Sequence, residues 1–162
     1  MSHEAAGKSN EWYTPAYIFD ALGERFDMDV AAPFGGPRHV PTSLWYSCGA
    51  LEGPWKGFVW MNPPFGHQST KRQWLAKFFH HHDGIALLPD RTSAPWWQEF
   101  APMADALMFI APKVKFERPD GTRGEQPGTG TTLMAAGNRA VAALSRASSL
   151  GAVFHPMGGI AA

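Results

Sequence analysis

Four short apolar runs constrain this chain more than any other feature. They are GFVWM (57–61), GIALLP (84–89), ALMFI (106–110) and TTLMAAG (131–137). Each is apolar along its length instead of on alternate residues, the pattern of a strand covered on both faces. Stretches with helical spacing lie between them. TKRQWLAKFFHHH (70–82) brings Trp74, Leu75, Phe78 and Phe79 to one side, SAPWWQEFAPMA (93–104) enters a helix at Ser93, and NRAVAALSRAS (138–148) follows the last run. Short buried strands alternating with helices predict an α/β fold with a mainly parallel sheet.

The remaining segments fit around that frame. Residues 1–10 read as a polar, flexible leader, and 11–162 as one compact domain. PAYIFDALGERF (15–26) spaces Ile18, Phe19, Leu22 and Phe26 as a helix does, with Thr14 as N-cap and Pro15 at the first helical position. DMDVAA (27–32) reads as a short strand ending in the break PFGGP. SLWYS (43–47), KVKFE (113–117) and GAVFH (151–155) are further candidate strands, and residues 118–131 read as a surface loop.

Composition excludes several classes. No apolar run approaches the roughly 20 residues that span a bilayer, and the first twelve residues lack a signal-peptide core. The lone Cys48 excludes an internal disulfide and suits a cytoplasmic setting; as a small apolar side chain it is expected to be at least half-buried. Fourteen basic residues balance fourteen acidic ones, so any grip on nucleic acid must come from a local patch. Seven tryptophans serve mainly as core or rim, with some free to act as stacking platforms.

Chemistry concentrates at Asn62-Pro63-Pro64-Phe65, where the strand FVWM ends. In an open sheet, ligands gather at the carboxyl ends of parallel strands. The Asn62 amide oxygen and the Pro63 carbonyl are acceptors, and neither proline has an N–H to crowd them. Phe65 adds a flat face. Two adjacent acceptors and a ring suit the exocyclic amine of a planar base. Held by both N–H bonds, the nitrogen turns its lone pair toward an electrophile, and positioning supplies much of the rate.

Asn-Pro-Pro-Phe is a form of the Asn/Asp-Pro-Pro-Tyr/Phe motif of S-adenosylmethionine-dependent amino-methyltransferases. With EWYTPAYIFDALGERFDMDVAAP before it and ALLPDRTSAPWW and FIAPKVKFE after it, the chain resembles the phage and prophage DNA adenine-N6 methyltransferases over residues 11–117. The resemblance implies a Rossmann-like, single three-layer domain that binds S-adenosylmethionine and acts on DNA, while the chain is too small for a separate target-recognition domain. It places Asn62, Pro63, Pro64 and Phe65 at the target base, Tyr13, Thr14 and Pro15 near the methionine end of the cofactor, and Asp29, Ala31 and Ala32 beside it. Asp29 would accept from the cofactor's ammonium group. Two departures stand out. The glycines come as Gly35-Gly36 instead of Gly-x-Gly, and no acid is placed for the cofactor ribose: Glu52 is the nearest candidate and position 50 is Ala50.

Arg91, after the strand LLP, and the cluster Lys113, Lys115, Arg118 and Arg123 are candidate nucleic-acid contacts. The run His80-His81-His82-Asp83 is expected at a helix end, where it suits the dipole better than a metal. The site would serve cytosine N4, an RNA base or a protein glutamine as well as adenine N6. A degenerate, non-catalytic DNA-binding module is the rival from another class. So small a domain covers little DNA, which leaves room for a homodimer or a helper protein.

Overall fold

The computed structural model describes residues 12–64, 68–125 and 127–158. The expected leader, together with Phe65, lies outside them. Helix α1 (Ala16–Leu22) buries Ile18, Phe19 and Leu22 and stops at Gly23, whose left-handed φ of 62° lets its N–H reach the Phe19 carbonyl. Pro15 takes the N-cap position with no side-chain cap, so the helix starts one residue later than Thr14 and Pro15 suggested. Phe26 is buried, but beyond the helix, where its ring stacks on Phe58 and meets Trp60 edge-on.

Six strands form one sheet: β1 (Met28–Asp29), β2 (Val59–Met61), β3 (Gly84–Pro89), β4 (Ala106–Ile110), β5 (Thr131–Ala136) and β6 (Gly151–Phe154), in the order β1-β2-β3-β5-β4-β6. The expectation of a mainly parallel sheet is corrected here. Only β1–β2 and β2–β3 pair in parallel; β3–β5, β4–β5 and β4–β6 are antiparallel. The cause is the connection after β4. The described residues between β4 and β5 stay at the edge where β4 ends, so β5 enters from that edge and must run back between β3 and β4. KVKFE is not a sheet strand; Glu117 forms isolated bridges to Tyr13 and Arg123.

Alternation along the strands divides the core in two. On one face Trp74, Leu75, Phe78 and Phe79 of α2 (Gln68–His81) and Trp96, Trp97 and Phe100 of α3 (Pro95–Phe100) cover Val59, Met61, Ala86 and Leu88. On the other, α1 and α4 (Asn138–Arg146) cover Trp60, Ile85, Leu87, Met108 and Leu133. Each large apolar side chain buried this way contributes about 1.5–3 kcal/mol. β1 through β4 all point one way, so their carboxyl ends share an edge with the start of β5. Asp90 is fixed at that edge by Thr132, whose hydroxyl donates to its Oδ1 at 2.5 Å.

Candidate active site

A cleft of about 800 Å3 opens at this edge, beyond the ends of β1 and β2. β1 brings Asp29 to it. The residues around 44–46 run beside β1: Asp29 N–H donates to the Leu44 carbonyl, and Tyr46 N–H to the Asp29 carbonyl, at 3.0 and 2.9 Å. On the other side, Val30 N–H donates to the Trp60 carbonyl at 3.0 Å. Asp29 is therefore wedged between two strand-like neighbours and is only 2% exposed.

That burial governs its chemistry. Loss of water pushes the Asp29 carboxyl up to about 7, against the pull of the Ala31 N–H that Oδ1 accepts at 3.1 Å. Among the described residues no cation pairs with it. A buried carboxylate facing a cleft without a counter-charge is a ready partner for a cationic ligand. Ala31 and Ala32 line the same cleft, their small side chains leaving room beside the carboxylate.

β2 supplies the second group. Asn62 is half-buried and Pro63 buried, and with the exposed Pro64 they line the same cleft from the strand next to that of Asp29. Tyr13 and Thr14 form another wall, tied down by reciprocal bonds between the Tyr13 and Glu117 backbones at 2.8 and 2.9 Å. Arg38 locks that wall: its guanidinium lies 3.8 Å from the Tyr13 ring centroid and donates to the carbonyls of Arg118 and Pro119. Pro15 is buried behind the wall and does not line the cleft.

The Gly-Gly departure has a steric reason. The turn closes by Gly36 N–H donating to the Pro33 carbonyl, and a Cβ on Gly36 would stand 2.9 Å from the Trp45 ring. The turn carries Phe34, 79% exposed, at the rim of the cleft. Glu52 also lines the cleft, as does Cys48. Cys48 is exposed, contrary to the expectation from its residue type, because its loop lines the open cleft instead of packing into the core.

Other predicted residues lie elsewhere on this edge. Arg91 is exposed past β3 and outside the cleft lining; Lys113 and Lys115 line a separate hollow. His80 and His81 end α2, and His82 follows with Nε2 2.8 Å from Asp105, on the opposite edge. Among the described residues no His, Cys, Asp and Glu cluster could hold a metal, and no helix is long and apolar enough to cross a membrane.

Sequence reasoning missed Trp60, Trp74 and Tyr46 as lining residues and Lys77 as a support. Lys77 Nζ on α2 donates to the carbonyls of Ala50, Leu51 and Gly53, and Ala50 and Leu51 face the cleft. Trp60 was detectable, two residues before Asn62; nothing local marked Lys77.

The geometry thus brings to one aromatic-walled cleft a proline-backed amide and a buried carboxylate with no cation partner among the described residues. Searches of curated proteins and of solved structures return no match. The family model described as DNA N-6-adenine-methyltransferase (Dam) matches residues 1–142, most of the chain. The chain belongs to this family and is an adenine-specific DNA methyltransferase.

Proposed function

We propose that the Asp29–Asn62 cleft binds S-adenosylmethionine and the target adenine together, and that Asn62 and Pro63 direct methyl transfer to N6. The observation that carries this is one cleft lined both by a buried carboxylate with no cation partner among the described residues and by an amide followed by two prolines that bring no backbone N–H. Bound there, S-adenosylmethionine supplies the methyl group. Asp29 accepts from its ammonium, while Ala31 and Ala32 leave it space and Tyr13 and Thr14, backed by Pro15, close over the methionine end. Glu52 is the acid available at the rim for the ribose hydroxyls.

Asn62 Oδ1 and the Pro63 carbonyl accept the two N6 hydrogens of adenine, holding the amine so that its lone pair faces the methyl donor. Pro64 keeps the turn rigid, and Phe65, by its place in the motif, stacks on the base. The N6 proton leaves after transfer, so no strong base is needed first. Adenine in a duplex must be flipped out at a cost of a few kcal/mol. Arg91, Lys113 and Lys115 on the same edge are placed to offset that through backbone phosphates. The sheet with helices on both faces supports a Rossmann-like three-layer domain, with DNA choice made by loops of this domain.

The test is calorimetric titration of S-adenosylmethionine and its demethylated product, followed by a search of treated DNA for N6-methyladenine. Saturable binding with N6-methyladenine formed is the expected result. No binding with or without DNA would overturn the cofactor assignment.

A further inference from the structure

We infer that a second hollow, on the far side of the Phe116 wall, seats one phosphodiester of the DNA strand that carries the target adenine. The inference rests on the DNA-methyltransferase reading and adds a site to it. The hollow has a volume of about 530 Å3 and is lined by Tyr17 of α1, Lys113, Lys115, Arg123, Ser149 and Leu150, among others. Among the described residues no carboxylate lines it. Among the described residues none of its three cations is in an ion pair. Lys113 Nζ has one long contact, 3.3 Å to the Gly128 carbonyl.

The backbone arranges these charges. Val114 is fully buried between the exposed Lys113 and Lys115, so extended alternation turns both ammonium groups to the same side. The next residue, Phe116, lines the catalytic cleft instead. Lys115 and Phe116 therefore face two neighbouring cavities across one strand-like wall. Arg123 is brought back by the turn in which Arg118 N–H donates to Thr122 and Gly124 N–H to Phe116, both at 2.8 Å. Tyr17 and Ser149 add hydroxyl groups to the lining.

Three cations facing one hollow repel one another unless an anion joins them. In a chain with no net charge, such an unneutralised cluster is the local patch that phosphate binding requires. Because the hollow shares a wall with the catalytic cleft, its occupant belongs to the strand whose adenine enters that cleft.

The experiment measures binding of a labelled adenine-containing duplex across a salt series, comparing wild type with K113Q/K115Q/R123Q. The variant is expected to bind at least about tenfold more weakly, with a salt slope shallower by about 1, the share of one neutralised phosphate. Binding of the demethylated cofactor stays unchanged, which reports an intact fold; K113R/K115R keeps the wild-type slope. Single neutral methylphosphonate linkages are then walked outward from the target adenine. One position should weaken wild-type binding and leave the variant unaffected. Equal affinity and slope in the variant would overturn the seat, and so would a general charge effect with no such position. If wild type itself forms no N6-methyladenine, the underlying reading fails instead.

Discussion

Asp29 and Trp60 are register partners in neighbouring parallel strands, and two residues past Trp60 the chain reaches Asn62. A carboxylate and an amide thus leave the sheet side by side on separate strands. Each can be altered without removing the other's support, so cofactor binding and methyl transfer should be separable by mutation.

Asn62→Ala removes one acceptor while leaving the rigid proline pair. It is expected to lower kcat by about 10²–10³, the usual cost of losing a placed hydrogen-bond partner in a transition state. Affinity for the demethylated cofactor should change less than about twofold. Single-turnover rates and calorimetry on the same preparation check this. Normal turnover by the variant would remove Asn62 from the chemistry.

Asp29 should make the ligand-free protein sensitive to pH. Its carboxyl is raised from 3.8 to about 7 by burial, so between those values the folded chain holds a proton that the unfolded chain has lost. The stability this contributes is complete below pH 4 and is lost as pH rises through 7. Asp29→Asn lacks that slope and should be more stable near pH 8, by on the order of a few kcal/mol. On the proposed pairing of Asp29 with the cofactor's ammonium, cofactor binding should run the other way, because that pairing needs the ionised carboxylate. Affinity should rise toward pH 7 and level off in wild type, and be weak and flat in the variant. Thermal melts and titrations from pH 5 to 8 measure both, and matching pH profiles in the two proteins would refute the assignment.

What could be read from the sequence differed between strands for physical reasons. GIALLP and TTLMAA announce burial equally well, and both are covered on two faces. A run buried on both faces carries no mark of direction, however, so nothing in TTLMAA told that β5 runs against β3. Direction was set by the loop after β4, whose Gly- and Pro-rich composition shows only that the chain turns. That the Asn62 turn lines a cleft was legible from its placement after an apolar run that reads as a buried strand, since ligands gather at the carboxyl ends of such strands. Lys77 was not, since its three carbonyl partners lie 24–27 residues away in an irregular loop. Cys48 was misjudged for the same reason: residue type predicts average burial, while loop path decides the individual case.

That Lys77 contact gives a third prediction. Its ammonium satisfies the Ala50, Leu51 and Gly53 carbonyls together and lies 5.1 Å from the Trp55 ring centroid, whose own Nε1 donates to Ala50. Lys77→Met keeps the aliphatic packing but leaves the loop without its donor. Stability should fall by about 1–3 kcal/mol. Affinity for the demethylated cofactor should fall more than kcat at saturation, because the loop lines the cleft but holds no reacting atom. Urea unfolding with steady-state kinetics tests this, and an unchanged affinity would show that the loop holds its shape without Lys77.

Gly84 offers a test of the sheet that is independent of the chemistry. It opens β3 opposite Val59, and a Cβ there would lie 2.3 Å from the Val59 carbonyl oxygen and 2.7 Å from its Cγ2. Backbone cannot yield as a flexible side chain does, so Gly84→Ala must push β2 and β3 apart where they pair. The expected destabilisation is about 1–3 kcal/mol, a fall in Tm of several degrees for a chain of this size. Gly84 lies at the amino end of β3, away from the edge that carries Asn62. The folded fraction of the variant should therefore retain near-normal kcat at low temperature. A melt that matches wild type would mean the two strands are not held in this register. A normal melt temperature with lost activity would instead place Gly84 near the reacting groups, contrary to the topology.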